Sequence, residues 1–409
     1  MIRAGGFALA LVFGMCCLAH GQGFSEGPGG IIYGDPGAQQ PPGYQQPAYI
    51  ADPNEPSEVP YAEAEAALLT RGPAIFNGGY FRTEYLNWTF QEHGDTLLGA
   101  PIVGNPNPRQ PFVVSDPVGT PLGIAIVPST QPFKLRHNNG LRLTGGAELL
   151  SGGTIEASAF LLDKAQSSFT LFGEQQANPG QPYNLIGTST FVNGALGNNI
   201  EFYNVFFRAE QESRFWGGNL DYIFDNDRSG VFTLRPLVGA RYISLNERLT
   251  QTGVFRDNTF AVPVDTQSTI ESTSWNNIVG PQVGFHTAIQ TKYLQFGVTP
   301  KFGVGANSQK ARVYTSRLRS IQDPDVTTND YYTGVTPFFE LGAYGQANIR
   351  PNLSLRVGYN FLWMGRVNRP EDNILYNDNG PQNIPDVVVS PTRHSLHIGG
   401  LTVGGEYRW

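Results

Sequence analysis

The chain is short of several residue types, and each shortage excludes a class of protein. Its only cysteines, Cys16 and Cys17, stand near the start. If that start is removed, the rest has no disulfide, no thiolate nucleophile and no cysteine metal ligand. Charged residues make up 15% of the chain and the net charge is −7 at pH 7. A nucleic-acid partner is therefore not expected, because such proteins usually carry a basic patch.

Glycine and aromatic residues are plentiful, with 49 Gly, 18 Tyr and 26 Phe, whereas there are 3 Met. This profile favours β structure with many turns over a helical bundle.

The first 21 residues have the layout of a secretory signal. Arg3 is the positive end, Phe7 to Leu18 the apolar core, and Ala19-His20-Gly21 a small-x-small cleavage site. An apolar run of about 12 residues is too short to span a bilayer but suits a signal peptide. A lipoprotein signal at Cys16 or Cys17 is the rival interpretation, but the small residue expected before Cys16 is missing.

Residues 22–75 are rich in Pro, Gly and Gln, as in "GDPGAQQPPGYQQP". Such a composition cannot bury a core, so we predict a disordered periplasmic linker. Ala62 to Leu69 could form one or two helical turns, too few to be stable alone.

From Phe76 to Trp409 the sequence alternates with a period of two. In the segment that begins at Lys292, Leu294, Phe296 and Phe302 fall on one face, and Gln295 and Lys301 on the other. Alternation suits a sandwich as well as a barrel. The strands run to roughly 12 to 18 residues, whereas globular strands usually have about five or six. Long strands favour a barrel.

Aromatic residues near the ends of the apolar faces also favour a membrane barrel, in which they form girdles at the two interfaces. The residues predicted for this role are Trp216, Tyr359, Trp363, Tyr407 and Trp409.

The connections alternate between long and short. Short turns are predicted at Ser151 to Gly153, Asn226 to Gly230, Thr291-Lys292 and Arg350 to Asn352. Long polar connections are predicted at Gln91 to Asn138, Gly173 to Asn199, Gln251 to Ser272, Lys310 to Thr333 and Val367 to His394. Four short turns and five long loops give ten strands, with long outer loops and short periplasmic turns. A hairpin hidden in the first long loop leaves twelve open.

The fold class that we predict is therefore an all-β, transmembrane, antiparallel, up-and-down β-barrel of about ten strands. The last strand, "LTVGGEYRW", is expected to pair with the first, around "GGYFRTEYLNWTF", so that the sheet has no free edge.

Several phrases resemble the Putative beta barrel porin-7 family, which is known mainly from planctomycete bacteria. They are "SRFWGGNLDY" (Ser213 to Tyr222), "LRPLVGARYISLNERL" (Leu234 to Leu249), "GPQVGF" and the aromatic last strand. The likeness covers roughly residues 76–409 and implies an outer-membrane barrel without naming a solute. The cysteine-rich turns of some relatives are absent here.

If the apolar faces meet lipid, the opposite faces carry charges into the lumen. A charge facing lipid at mid-bilayer costs roughly 2–4 kcal/mol, so the inward placement is preferred. The residues predicted to line the lumen are Arg82, Glu84, Arg142, Glu148, Glu156, Asp221, Arg241, Lys301, Glu340, Arg356, Glu406 and Arg408. They form either a selectivity lining or an internal ion-pair network. At ten strands with nearly balanced signs, we favour the network.

Catalytic candidates are few. His93 beside Asp95 is the best pair on offer, and His394 and His397 would point to opposite faces of a strand. "DNDRSG", Asp225 to Gly230, imitates a calcium loop but lacks the closing glutamate, so it is a turn. There is no phosphate-binding glycine loop and no hydrolase serine motif. We expect no catalytic residue, no metal and no cofactor.

We therefore expect an outer-membrane protein with a structural or narrow-pore role. Its partners would be outer-membrane lipid and the barrel-assembly machinery, which would recognise the last strand; a partner for the outer loops cannot be named. The alternatives are a hydrolase active at the outer rim, and a secreted soluble β-rich adhesin.

Overall fold

A computed structural model describes most of the chain from Phe76 onward. The described residues are 76–92, 94–99, 109–115, 119, 121–173, 183–189, 191–192, 200–225, 231–257, 262–318, 321–378 and 387–409. The predicted signal peptide, 1–21, and the predicted linker, 22–75, lie outside them. Among the described residues, no helix is long and apolar enough to cross a membrane.

The main feature is one antiparallel sheet that closes on itself. Eleven strand segments form it, and two of them, Thr154–Leu162 and Ala165–Phe172, are successive parts of one wall strand that both pair with the strand Phe206–Ile223. The wall therefore has ten strands. They are β1 (Phe76–Phe90), β2 (Asn138–Leu149), β3 (Thr154–Leu162, continued by Ala165–Phe172), β4 (Phe206–Ile223), β5 (Phe232–Asp257), β6 (Val264–Gln290), β7 (Leu294–Ser316), β8 (Val326–Arg350), β9 (Leu353–Asn368) and β10 (Arg393–Arg408).

Each strand pairs with the next one along the chain, and β10 pairs with β1 to complete the ring. The closing register runs from Tyr80 opposite Arg408 to Phe90 opposite Ile398. Every wall strand thus has two partners, which removes the free edges that an open sheet would expose. The predicted all-β barrel of ten strands, closed by the last strand on the first, is confirmed.

The short turns lie at one end of the barrel. β2 joins β3 through 150–153, β6 joins β7 through 291–293, and β8 joins β9 through 351–352, as predicted. The turn predicted at Asn226 to Gly230 lies outside the described residues. The long connections lie at the opposite end, which is the outer end of a membrane barrel.

Two predicted loops are wrong. β5 continues to Asp257 and β6 begins at Val264, while β7 continues to Ser316 and β8 begins at Val326. Most of 251–272 and 310–333 is therefore strand. A strand that rises above the bilayer meets water on its outer face, so its sequence turns polar while the pairing continues.

The length of β6 supports this explanation. It has 27 residues, which span roughly 65–70 Å along the barrel axis at about 3.3 Å per residue and a tilt near 40°. The apolar band of such barrels is only about 25 Å tall. The outer half of β6 therefore stands above the membrane.

The first long connection does contain a hairpin, Phe112–Ser115 with Pro121–Ile126. The hairpin pairs with Tyr183–Ser189, which pairs in turn with Ile200–Tyr203, and these four strands make a separate sheet. Because none of them joins the wall, the twelve-strand alternative is wrong.

The two faces of the wall differ as the alternation predicts. Phe296, Phe302 and Leu355 are each more than half exposed on the outer face. On the inner face, residues such as Lys301 and Glu340 are buried. The core of this protein therefore lies inside the barrel, and the apolar surface lies outside, where a bilayer would cover it.

Candidate functional site

A belt of charged side chains crosses the periplasmic half of the lumen. Nine of the ten wall strands contribute one or two charges each, because alternate residues point inward. The belt comprises Arg82 and Glu84 on β1, Arg142 on β2, Glu156 on β3, Asp221 on β4, Arg241 on β5, Lys301 on β7, Glu340 on β8, Arg356 on β9 and Glu406 on β10. Ten of the twelve residues that the sequence predicts for the lumen are thus brought together.

Arg82 is the centre of one part of the belt. Its guanidinium lies 3.1 Å from Glu406, 3.6 Å from Glu84 and 3.6 Å from Glu156. Tyr80, which lies on β1 like Arg82, donates a hydrogen bond to Glu156. The contact with Glu406 ties β1 to β10 across the seam that closes the ring.

Other pairs cross the lumen between strands that are not neighbours. Arg241 donates to Glu340 from three strands away, and Arg142 lies 3.6 Å from the same carboxylate. Lys301 donates to Asp221 at 2.7 Å. These contacts join opposite sides of the wall, so the belt spans the lumen.

Several carboxylates of the belt are buried. Glu84 is 3% exposed, Asp221 is 1% exposed and Glu406 is 2% exposed. A buried ion pair contributes little net stability over an apolar replacement, but loss of one partner costs several kcal/mol because the other charge is left uncompensated. Replacement of one charged residue of the belt is therefore expected to destabilise the barrel, because its partner would stay buried without a counter-charge.

The remaining two predicted lumen residues lie at the periplasmic end. Arg408 is half exposed and contacts Glu406 at 2.7 Å. Glu148 is partly buried near the end of β2. Both face the mouth of the lumen and not its interior.

An apolar layer fills the lumen directly on the outer side of the belt. It is one contact cluster, and none of its members is more than 7% exposed. Eight of the ten wall strands contribute to it. Its members are Leu86, Trp88, Phe90, Leu135, Phe160, Leu162, Ala165, Phe215, Ile243, Leu245, Ile278, Phe338, Leu362, Met364, Val367, Leu396 and Ile398.

Aromatic rings make up the middle of this layer. Phe160 lies 5.6 Å from Trp88 and 5.2 Å from Phe215, measured between ring centroids, and Phe90 lies 6.0 Å from Phe215. Rings at these distances are in direct contact. Among the described residues, the layer and the belt together close the lumen to bulk water.

The apolar layer was missed by the sequence analysis, although β1 carries a signal for it. Leu86, Trp88 and Phe90 share the parity of Arg82 and Glu84, so they had to point inward. The inward face of β1 therefore changes from charged to apolar in its outer half, while Tyr85, Asn87 and Thr89 occupy its outward face.

Cation–π contacts connect the belt to the apolar layer. The Arg142 guanidinium lies 5.2 Å from the Trp88 ring and 5.9 Å from the Phe160 ring. Arg241 lies 5.8 Å from the Phe338 ring. Such contacts are worth about 2 kcal/mol when they are shielded from water.

A second polar layer lies farther out, under the outer connections. Arg369 contacts Glu247 through two nitrogens, at 3.1 and 3.2 Å, and Ser213 donates to the same carboxylate at 2.8 Å. The backbone of Asn368 is held by Asn276. The segment after β9 is thereby anchored inside the barrel mouth.

The predicted interface aromatics all lie on the outer face. Tyr359, Tyr407 and Trp409 are about half exposed. Trp216 and Trp363 are partly buried, and Trp216 packs on Tyr242 at 5.0 Å. Tyr407 and Trp409 stack at the periplasmic end of β10.

The histidines that the structure describes are not clustered with one another. His93 lies outside the described residues, while Asp95 is paired with Arg109 at 2.5 Å. His394 is exposed and 3.8 Å from Asp372, and His397 stacks on Phe361. In the described part of the chain, no three His, Asp or Glu side chains are grouped as metal ligands would be.

A comparison with known families identifies the barrel. The profile of the Putative beta barrel porin-7 family matches residues 80–409, which is the whole wall except the first residues of β1. The chain belongs to this family. It is an outer-membrane β-barrel protein.

Two solved structures show a distant similarity to this porin-7 family member. The outer membrane protease OmpT from Escherichia coli is 10% identical with a TM-score of 0.44, and the match covers 81% of this chain and 97% of that chain. A FadL homologue from Pseudomonas aeruginosa is 9% identical with a TM-score of 0.23, covering 81% and 90%. Among proteins with curated descriptions, none matches this chain.

Proposed function

We propose that this protein is a closed or narrow-lumen outer-membrane barrel whose main role is structural: it holds the outer connections above the membrane. One observation carries the proposal. The belt and the apolar layer lie one above the other and each reaches across the lumen. A solute would have to displace both.

The size of the barrel supports the same conclusion. Barrels of about eight strands are filled by side chains, and aqueous channels appear at about 16 strands. Ten strands lie near the filled end of this range. The inward rings of Trp88, Phe160 and Phe215 take up the extra width.

Conductance in planar bilayers tests the proposal. The refolded protein should give no conductance steps, or only small steps carried by small ions. A double variant, Trp88→Ala with Phe215→Ala, should increase the conductance by removing two rings from the apolar layer. Phe302→Ala is the matched control, because Phe302 is 51% exposed on the lipid face. A large, weakly selective conductance of the unmodified protein would contradict the closed lumen.

We propose further that the protein is not an enzyme. Support comes from Asp95, the acidic member of the candidate pair, which is engaged by Arg109. Incubation of the folded protein with lipid and peptide substrates tests this. Turnover that is lost in His93→Ala would overturn the proposal and favour a rim hydrolase.

We propose that export begins with cleavage of residues 1–21 and that 22–75 remains in the periplasm. The composition of both segments supports this. Mass spectrometry of the membrane-inserted protein should find a mature start at Gln22. A protein that retains Met1 would contradict it.

A further inference from the structure

A polar cavity of about 110 Å³ occupies the periplasmic half of the lumen, on the inner side of the apolar layer. One water molecule takes about 30 Å³ in the liquid, so the cavity has room for a group of several heavy atoms. Arg235, Gln295 and Arg408 line it. All three stand within four residues of a strand end at the periplasmic side.

The wall of this cavity carries more positive than negative charge. Its cations are Arg82, Arg142, Arg235, Lys301, Arg356 and Arg408, and its carboxylates are Glu156, Glu340 and Glu406. Arg241, Glu84 and Asp221 pair with these groups. Counting them gives seven cations and five carboxylates, a surplus of two positive charges.

Arg235 is one of the cations that produce this surplus of positive charge. Among the described residues it has no ion pair and no hydrogen bond from its side chain. It lies opposite His286 in the register of β5 and β6. Arg356 lies over the Tyr344 ring, 3.3 Å from its centroid, and its Nε is 3.5 Å from Glu84 without a hydrogen bond.

His286 provides another free donor at the same place. Gln295 donates to the Tyr344 hydroxyl at 3.0 Å, and that hydroxyl lies 2.7 Å from His286 Nε2. In the tautomer in which Nε2 accepts the hydroxyl proton, the ring proton is on Nδ1, and Nδ1 is buried without a partner.

We propose that this cavity binds a small oxyanion, such as inorganic phosphate, that enters from the periplasmic end. An uncompensated charge in a buried site is costly, and a bound anion supplies the missing counter-charge. The planar guanidinium of an arginine matches two oxygens of an oxyanion at once. The anion would accept hydrogen bonds from Arg235, Arg356 and His286 Nδ1.

Equilibrium dialysis of the full chain, folded in detergent, against radiolabelled phosphate tests the proposal. We expect one saturable site per barrel and competition by sulfate. Arg235→Gln should weaken binding at least tenfold. Arg312→Gln is the control, because Arg312 lies on β7 outside the lumen, 3.6 Å from Glu271. Heat-modifiable migration on a gel verifies that each variant is folded.

A second variant places the counter-charge in the cavity itself. Thr299 lines the same wall, and Thr299→Glu should abolish phosphate binding in a barrel that remains folded. Absence of saturable binding by the unmodified protein would overturn the proposal, as would binding unchanged by both Arg235→Gln and Thr299→Glu. Conductance does not enter this test, so the oxyanion site and the closed lumen can fail separately.

Discussion

Glu340 is the residue on which ion pairs from two sides of the wall converge. It accepts a hydrogen bond from Arg241 on β5 and lies 3.6 Å from Arg142 on β2. Its loss would leave two arginines without their shared counter-charge.

Glu340→Gln should lower the free energy of unfolding by about 3–5 kcal/mol, the usual cost of leaving a buried charge uncompensated. Urea unfolding of the protein in lipid vesicles measures it. Glu92→Gln is the control: Glu92 pairs with Lys134 at 3.1 Å on the surface, where water screens the charges, so its loss should lower the midpoint much less. Equal effects of the two variants would show that a buried ion pair of the belt contributes no more to stability than a surface ion pair.

Glu92 itself gives a prediction about pH. Arg136 and Lys134 donate hydrogen bonds to its carboxylate and hold its pKa below the ordinary value of a glutamate. A lowered pKa means that the pairing stabilises the fold above the ordinary pKa and is lost as the pH falls through the lowered one.

An NMR titration of labelled glutamate side chains should therefore find Glu92 still ionised where other exposed glutamates are half protonated. Arg136→Gln should move the pKa of Glu92 back up. If Glu92 titrates with the ordinary value in both proteins, the pairing does not persist in solution.

At the scale of the strand, β7 shows how small residues on one strand make room for large ones on others. Gly303 faces Phe338 and Gly305 faces Ile278, and β7 adds nothing to the apolar layer. A Cβ at Gly303 would overlap the Phe338 ring and approach the carbonyl oxygen of Pro281 at 2.7 Å.

Gly303→Ala should therefore destabilise the barrel by about 1–3 kcal/mol, the typical cost of overpacking a filled core. Gly145→Ala is the matched control, because a Cβ there would meet nothing within 4 Å. Urea unfolding of both variants provides the comparison. A Gly303→Ala protein as stable as Gly145→Ala would mean that the apolar layer is loosely packed.

The last strand is where a prediction about assembly belongs. Trp409 exchanges backbone hydrogen bonds with Gly79, at 3.1 and 3.3 Å, and its ring stacks on Tyr407. Trp409→Ser should reduce the amount of inserted protein, and Trp409→Phe should reduce it less, because an aromatic ring is kept at the interface. The inserted fraction is measured by heat-modifiable migration. Equal insertion of all three proteins would refute a role for this ring.

How far the sequence predicts each strand depends on what the strand meets. In β7 the alternation assigns Phe296 and Phe302 outward and Lys301 inward, because lipid and lumen differ in polarity. Above the bilayer that difference disappears, so Lys310 and Arg312 suggested a loop although β7 continues to Ser316. Alternation also gives the direction of a side chain without its partners, so the contacts of Glu340 could not be predicted.

At the scale of the whole molecule, the wall is complete without the segment that precedes it. β1 begins at Phe76 and already has partners on both sides. Deletion of Gln22 to Thr70 should therefore leave the amount of protein in the membrane fraction unchanged, since their Pro, Gly and Gln composition forms no core. Accumulation of the shortened protein in the periplasm would show that the segment is needed for insertion.

Features of the whole molecule could be predicted from the sequence when they follow from the number of turns and loops. They could not be predicted when they depend on which side chains meet inside the barrel. The number of wall strands was predicted from four short turns and five long connections, and the turns at Ser151 to Gly153, Thr291-Lys292 and Arg350 to Asn352 lie where they were predicted. The apolar layer depends on which inward residues meet at one height, and this is set by the stagger of the strands. A single sequence does not encode that stagger in any local pattern.

The backbone contact between Gly79 and Trp409 has a consequence for protein engineering. It brings the two ends of the wall to the same periplasmic corner, so a short peptide could join them and turn the seam into a fifth periplasmic turn. New ends could then be cut in the connection between β5 and β6, above the membrane. Such a circular permutant would carry the same ten strands in a rotated order, with β6 leading and β5 arriving last. Because the ring of pairings has no beginning, the permutant should reach the same barrel.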